Sequence, residues 1–241
     1  TVTITDDSDA EENEEAVFDL SNLTTSNTNA SLGAANTATI TIQDNDVVIP
    51  DLIISEVADP NNNGSARFVE LYNPTDSTID LAAGNWHLTK FINANTSRYS
   101  VALTGSIAPG ATYLIVQGSS FSVYAPVTAD QTGGGVADGN GDDTYGLYYG
   151  GNNTSGTLVD IYGVIGTDGS LQTWEYEDGR AVRNADVTTP SATLDVSEWT
   201  IFNDSPTQTG SNGTANVADM TPGVHPDPLV DEPTGVTTSD T

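Results

Sequence analysis

The chain contains no cysteine, which removes thiol catalysis, thiolate metal sites and disulfides together. Positive charge is nearly as scarce: five Lys and Arg stand against 34 Asp and Glu, for a net charge of −29. Phosphate contact needs Lys and Arg, so such a polyanion is expected to bind neither nucleic acid nor an anionic membrane surface directly. No stretch reaches the roughly 18 apolar residues of a membrane-spanning helix, and no window sustains helical periodicity. Ser, His and Asp are all present, but no Gly-x-Ser-x-Gly elbow precedes a helix, so a hydrolase triad has no support. The two histidines, His87 and His225, are isolated from each other and do not make a zinc site. Carboxylates are so numerous that their pairing alone says nothing for a glycosidase.

What remains is a pattern of short alternating runs. Thr1-Val2-Thr3-Ile4-Thr5, Ala16-Val17-Phe18-Asp19-Leu20 and Ala38-Thr39-Ile40-Thr41-Ile42 each alternate apolar with polar residues, the signature of half-buried strands. Residues 47–50 read as a linker, because Pro50 interrupts a ladder. Further strands are expected at Leu52 to Val57, Phe68 to Tyr72, Trp86 to Phe91, Tyr99 to Leu103, Thr112 to Gln117, Tyr145 to Tyr149, Leu158 to Val164 and Trp199 to Phe202. Breakers such as Ala108-Pro109-Gly110, Gly133-Gly134-Gly135 and Asp178-Gly179 punctuate them. Many short strands with this punctuation predict an all-β sandwich. Its core is expected to hold Trp86, Phe68, Leu71 and Leu114. Residues 204–241 are polar and Pro-rich, with little to bury, and read as a flexible tail or linker. The chain starts inside a strand pattern without an initiator Met and is expected to be a piece of a longer protein, with that protein's other domains as its first partners.

One chemistry is suggested directly. Between Thr1 and Asp46 lie ten carboxylates and no Lys or Arg. Nine of them gather in Asp6 to Glu15 and in Gln43-Asp44-Asn45-Asp46, at the two ends of a β segment. Unneutralised negative charge at this density repels itself. Oxygen ligands at close spacing suit a hard cation, calcium before others.

The first 46 residues resemble the second half of a Calx-β domain, through Asp6-Asp7, Glu11, Glu14, the Ala16-x-Phe18-x-Leu20-Ser21 strand and Thr39-Ile40-Thr41-Ile42-Gln43-Asp44-Asn45-Asp46. The resemblance implies a partial β-sandwich of three strands and a calcium site to which Asp6, Asp7, Glu11, Glu14, Asp44 and Asp46 contribute. Asn45 stands where the family often has an acid, and the family's remaining ligands come from its N-terminal half. Residues 51–203 resemble the lamin tail domain of secreted bacterial proteins. That resemblance rests on Ile54-Ser55-Glu56-Val57, Arg67-Phe68-Val69-Glu70-Leu71-Tyr72-Asn73-Pro74, Ile79-Asp80-Leu81, Ala108-Pro109-Gly110 before Tyr113-Leu114-Ile115-Val116, Gly139-Asn140-Gly141-Asp142-Asp143 and Val159-Asp160-Ile161-Tyr162-Gly163. It implies an immunoglobulin-like sandwich without enzyme activity.

Three other groups carry two readings each. Glu56 and Glu70 with Arg67 form either a binding site or a pair of strand-end acids answered by one Arg. Asp138 to Asp143 has the composition of a calcium loop but lacks the terminal Glu of the EF-hand pattern; the other reading is a hairpin connection that caps its own turn. Trp174 to Arg183 is either a carbohydrate or peptide contact, or a loop with its Arg residues paired internally and its Trp packed on the sandwich. Together the residues and resemblances point to a non-catalytic extracellular module, secreted or at the cell surface, with a structural, adhesive or attachment role toward a surface or matrix component. The alternative is an accessory domain that docks a secreted nuclease or phosphoesterase.

Overall fold

The computed structural model describes residues 11–19, 21, 24, 26, 29–34, 36–44, 46–60, 63–95, 98–118, 121–203 and 217–225. Contacts divide the chain into two units, Thr1–Ile49 and Pro50–Thr241. The architecture is all-β.

In the first unit, β1 (Glu14–Asp19) and β2 (Thr37–Ile42) form an antiparallel two-stranded ribbon. Its register sets Ala16 opposite Ile40 and Phe18 opposite Ala38. One face is therefore apolar, as the alternation requires. Phe18 and Ile40 on that face are 39% and 51% exposed, so among the described residues this face is not covered into a core. The expected strand at Thr1 to Thr5, with Leu20, Asp6, Asp7 and Asn45, lies outside the described residues.

The second unit is a sandwich of a six-stranded and a four-stranded sheet. The larger sheet contains β3 (Ile53–Ala58), β4 (Phe68–Tyr72), β9 (Thr112–Val116), β10 (Gln131–Thr132), β13 (Arg180–Arg183) and β14 (Trp199–Phe202), in the order β10-β9-β4-β3-β13-β14. The smaller contains β6 (His87–Phe91), β7 (Arg98–Ala102), β11 (Thr144–Tyr149) and β12 (Thr157–Tyr162), in the order β12-β11-β6-β7. A short pair, β5 (Ile79–Asp80) with β8 (Ser106–Ile107), stands apart from both. Pairing is antiparallel except between β9 and β10.

Trp86, Phe68, Leu71 and Leu114 are all buried, as the sequence predicts. Asn73 accounts for the Asn-Pro ending of β4. Its amide donates to the carbonyls of Ser77 and Ile107, while its oxygen accepts from the Thr75 N–H and hydroxyl. One buried side chain thus closes its own turn and ties it to β8.

Two expectations need correction. Residues 180–183 are a strand, not part of a loop: β13 lies between β3 and β14 and is buried throughout. Its Arg ends disguise it, because both guanidinium groups find acids inside the fold. The second concerns the expected tail from 204. Within it, residues 217–225 pack back on the six-stranded sheet, with Met220, 7% exposed, in a cluster with Phe68, Leu114, Phe121, Tyr124 and Phe202.

Candidate functional site

Five basic residues are available to the acids the fold buries, and four are spent there. Arg67 Nε lies 2.7 Å from Asp59 and its Nη1 2.9 Å from Asp138. Lys90 Nζ is 3.2 Å from Asp143 and also donates to the Asp138 carbonyl at 2.9 Å. Arg180 faces Glu56 at 3.4 Å. Arg183 donates to both oxygens of Asp160, at 2.6 and 2.5 Å, and to Glu198 at 2.6 Å. The side chains of these four cations are at most 11% exposed. Arg98, at the start of β7, is the one basic residue exposed to solvent. The outer surface is consequently almost purely anionic.

These pairs replace the one expected from sequence. Arg67 does not answer Glu56 or Glu70. Those acids are 1% and 0% exposed, stand directly opposite each other on β3 and β4, and are not surface groups. The Glu70 carboxylate accepts from the Ser55 hydroxyl at 2.7 Å and from the Gly223 N–H at 2.7 Å. Glu56 accepts from the Thr221 hydroxyl at 3.1 Å, and Arg180 donates to that same hydroxyl at 3.0 Å. The register places Phe68, Glu70 and Tyr72 with Leu114, Glu56, Ala58, Arg180 and Phe202 on one face of the sheet. On the opposite face, Arg183 and Trp199 meet β12 of the other sheet through Asp160 and Tyr162. The Glu56–Glu70 face is thus the outer side of the sandwich, and residues 217–225 cover it.

The covering segment is built around a turn. Thr221-Pro222-Gly223-Val224 closes with the Val224 N–H donating to the Thr221 carbonyl at 3.1 Å, and Gly223 has φ +86°. Pro at the second position and a left-handed Gly at the third are what a type II turn demands. His225 beyond it packs its ring 4.6 Å from that of Tyr72. The sequence reading missed these residues; their signals were the Pro-Gly pair and the chain's one methionine.

Burial governs the ionisable groups here. It pushes the Asp59 carboxyl above its usual range, against the pull of Arg67, and raises Asp143 likewise against Lys90. Tyr124, at the edge of the covered face, is pushed far up by burial and then by the Glu56 charge.

The Asp138 to Asp143 loop follows neither reading in full. Asp138 meets Arg67, Asp143 meets Lys90 and the Asn93 N–H, and Asp142 accepts from Asn93 Nδ2 and the Ser170 hydroxyl. The acids therefore fasten neighbouring loops rather than cap their own turn. In Trp174 to Arg183, the two arginines are paired internally and Trp174 is buried.

Of the predicted calcium ligands, Glu11, Glu14, Asp44 and Asp46 are described. The ribbon register brings the start of β1 and the end of β2 to the same end. There the Asp44 carboxylate accepts from the Glu11 N–H at 2.7 Å and the Asp46 N–H at 3.0 Å. Among the described residues no group of three or more His, Asp or Glu could hold a metal ion.

Residues 48–166 match the Lamin Tail Domain family, a non-enzymatic immunoglobulin-like fold. The matched span runs from before β3 through β12 and stops short of β13, β14 and the covering segment. The chain has no match among curated proteins. Among the described residues no helix is long and apolar enough to cross a membrane.

Proposed function

We propose that this chain is a non-catalytic, extracellular attachment and spacing module, in which a lamin-tail sandwich serves as a rigid body. The observation that carries this reading is the use of its cations. Four of five are committed to internal ion pairs, which pin β3, β12, β13 and the connecting loops to one another. The exterior then presents anions toward whatever the module meets. Such a surface favours a cationic partner or a cation-bridged one and disfavours phosphate backbones. Docking to nucleic acid for an attached nuclease is the weaker reading for that reason.

Calcium belongs to this proposal at the acid-bearing end of the β1–β2 ribbon. Asp6, Asp7, Glu11, Glu14, Asp44 and Asp46 are the assigned carboxylates, Asp6 and Asp7 lying outside the described residues. Bound there, the ion neutralises the repulsion among them and stabilises the ribbon by mass action.

The test is a fusion of the chain to a fluorescent protein, incubated with envelope fragments of the producing cells. Retention above the unfused reporter is expected, with release by EDTA or high salt. No retention would remove the attachment role. Amide exchange in residues 11–46 checks the metal separately: slower exchange in calcium than in EDTA is expected, and equal rates would remove calcium from the proposal.

A further inference from the structure

Residues 217–225 belong to neither sheet, and both sheets are complete without them. Their hold on the sandwich is that of a docked peptide. Met220 is the apolar anchor, the Thr221 hydroxyl reaches Glu56, the Gly223 N–H reaches Glu70 and His225 rests on Tyr72. We propose that the outer face of the six-stranded sheet is a peptide-docking groove, filled in cis by residues 217–225, and that the same segment of a second copy can take their place.

The groove has a definite chemical preference. Glu56 and Glu70 are directly opposite on neighbouring antiparallel strands, where like charges repel. Arg180, the guanidinium beside Glu56, sits at 3.4 Å and shares itself with Thr221. A segment that brings an N–H and a hydroxyl between the two carboxylates relieves this arrangement; an acidic segment aggravates it. Phe68, Phe121 and Tyr124 meanwhile provide the walls around Met220. The Pro222–Gly223 turn sets the bound shape before docking, which lowers the ordering cost.

The connection explains why cis occupancy prevails. Thirteen residues, 204–216, join β14 to the segment, with no apolar residue among them larger than Pro. A chain of that length spans at most about 45 Å. Such a tether holds its segment at an effective concentration on the order of millimolar. A segment from another molecule therefore competes only when the tether is cut or copies are crowded.

The test cuts the tether in the full chain. A protease recognition sequence replaces part of residues 204–216, and a fluorescein-labelled synthetic peptide of residues 216–226 is titrated by anisotropy before and after cleavage. The expected result is saturable one-to-one binding to the cleaved protein and little to the intact one. Replacing the peptide's methionine and threonine (Met220→Ala with Thr221→Val) should weaken binding about tenfold or more. A scrambled peptide should fail to bind. Amide exchange and circular dichroism report the fold of the cleaved protein. If it unfolds on cleavage, the segment is an inseparable part of the core and the proposal is wrong. It is equally wrong if the cleaved segment never exchanges, or if the scrambled peptide binds as well.

Discussion

Met220→Ala separates a packed segment from an idle tail. Met220 is 7% exposed and lies among Phe68, Leu114, Phe121, Tyr124 and Phe202, with Val127 and Val217 packed alongside. Truncating a buried Met to Ala costs about 2–5 kcal/mol, from lost transfer energy and the cavity left behind. The segment carries only its own turn and can settle inward, so the lower half applies, about 2–3 kcal/mol. For a domain of this size that lowers Tm by roughly 5–10 °C. All three tryptophans, Trp86, Trp174 and Trp199, are buried in the sandwich unit. Urea unfolding followed by their fluorescence therefore reports that unit without the β1–β2 ribbon. Val224→Ala is the control, because Val224 is 49% exposed in the same segment; its cost should stay within about 0.5 kcal/mol. Truncation after Asn203 should exceed Met220→Ala, since it also strips the Gly223 and Thr221 donors from Glu70 and Glu56. A Met220→Ala loss no larger than that of Val224→Ala would refute the packing argument.

Asp160→Ala should cost about 3–5 kcal/mol in the same assay, because it leaves the buried Arg183 without its two-point partner and strips an acceptor from the Ile54 and Ser191 N–H groups; a loss under about 1 kcal/mol would contradict this. Gly141→Ala should abolish folding or nearly so: Gly141 has φ +101°, and a Cβ there would come within 2.2 Å of Glu177 Cα, where no side chain can yield. Soluble, cooperative unfolding near the parent midpoint would show the backbone to be more adaptable than described. Asp59 supplies a pH test. Its folded carboxyl titrates above the ordinary 3.8 because of burial. Its contribution is therefore fully present below pH 3.8 and is lost as pH rises through the folded value. The parent chain should lose stability relative to Asp59→Asn as pH rises across that window, and a relative gain by the parent would reverse the sign. Added sodium chloride should stabilise the sandwich, since salt screens the exposed acids at long range and the buried pairs much less; a midpoint that falls with moderate salt would argue that the ion pairs are solvent-accessible.

Strands were legible wherever aromatic and aliphatic residues cluster in short runs between turn signals. Phe68 to Tyr72 and Trp199 to Phe202 fall where such runs place them, to the residue. β13 was illegible because a charge stands at each of its ends, and both are buried: Arg180 and Arg183 are 3% and 2% exposed. A charged residue in a buried strand reads as loop until its partner is known. The partner here is 124 residues away for Arg180 and 23 for Arg183. Arg67 misled for the matching reason. It is near Glu70 in sequence, but its acids are Asp59, in the turn after β3, and Asp138, 71 residues on. The segment at 217–225 was diluted by its surroundings, since one Met and two Val among polar residues do not register as hydrophobic over a window.

Acids alone do not mark the candidate site. Acidity was taken to mark a cation site, and among the described residues of the ribbon Asp44 accepts from the Glu11 and Asp46 N–H groups. In the sandwich the equivalent signal leads elsewhere. Glu56, Glu70, Asp143 and Asp160 are all buried, and each has hydrogen-bond donors from the chain itself: Ser55, Thr221, Gly223, Lys90, Asn93, Ile54, Ser191 and two arginines. Burying an acid is costly unless it is paired and hydrogen-bonded. A chain with only five cations therefore has to recruit hydroxyls and backbone N–H groups as well. Residues 217–225 meet that need for Glu56 and Glu70. Residues 217–225 are held against the sandwich by the acids of β3 and β4 as much as by Met220, so the scarcity of basic residues itself decides which segment covers that face.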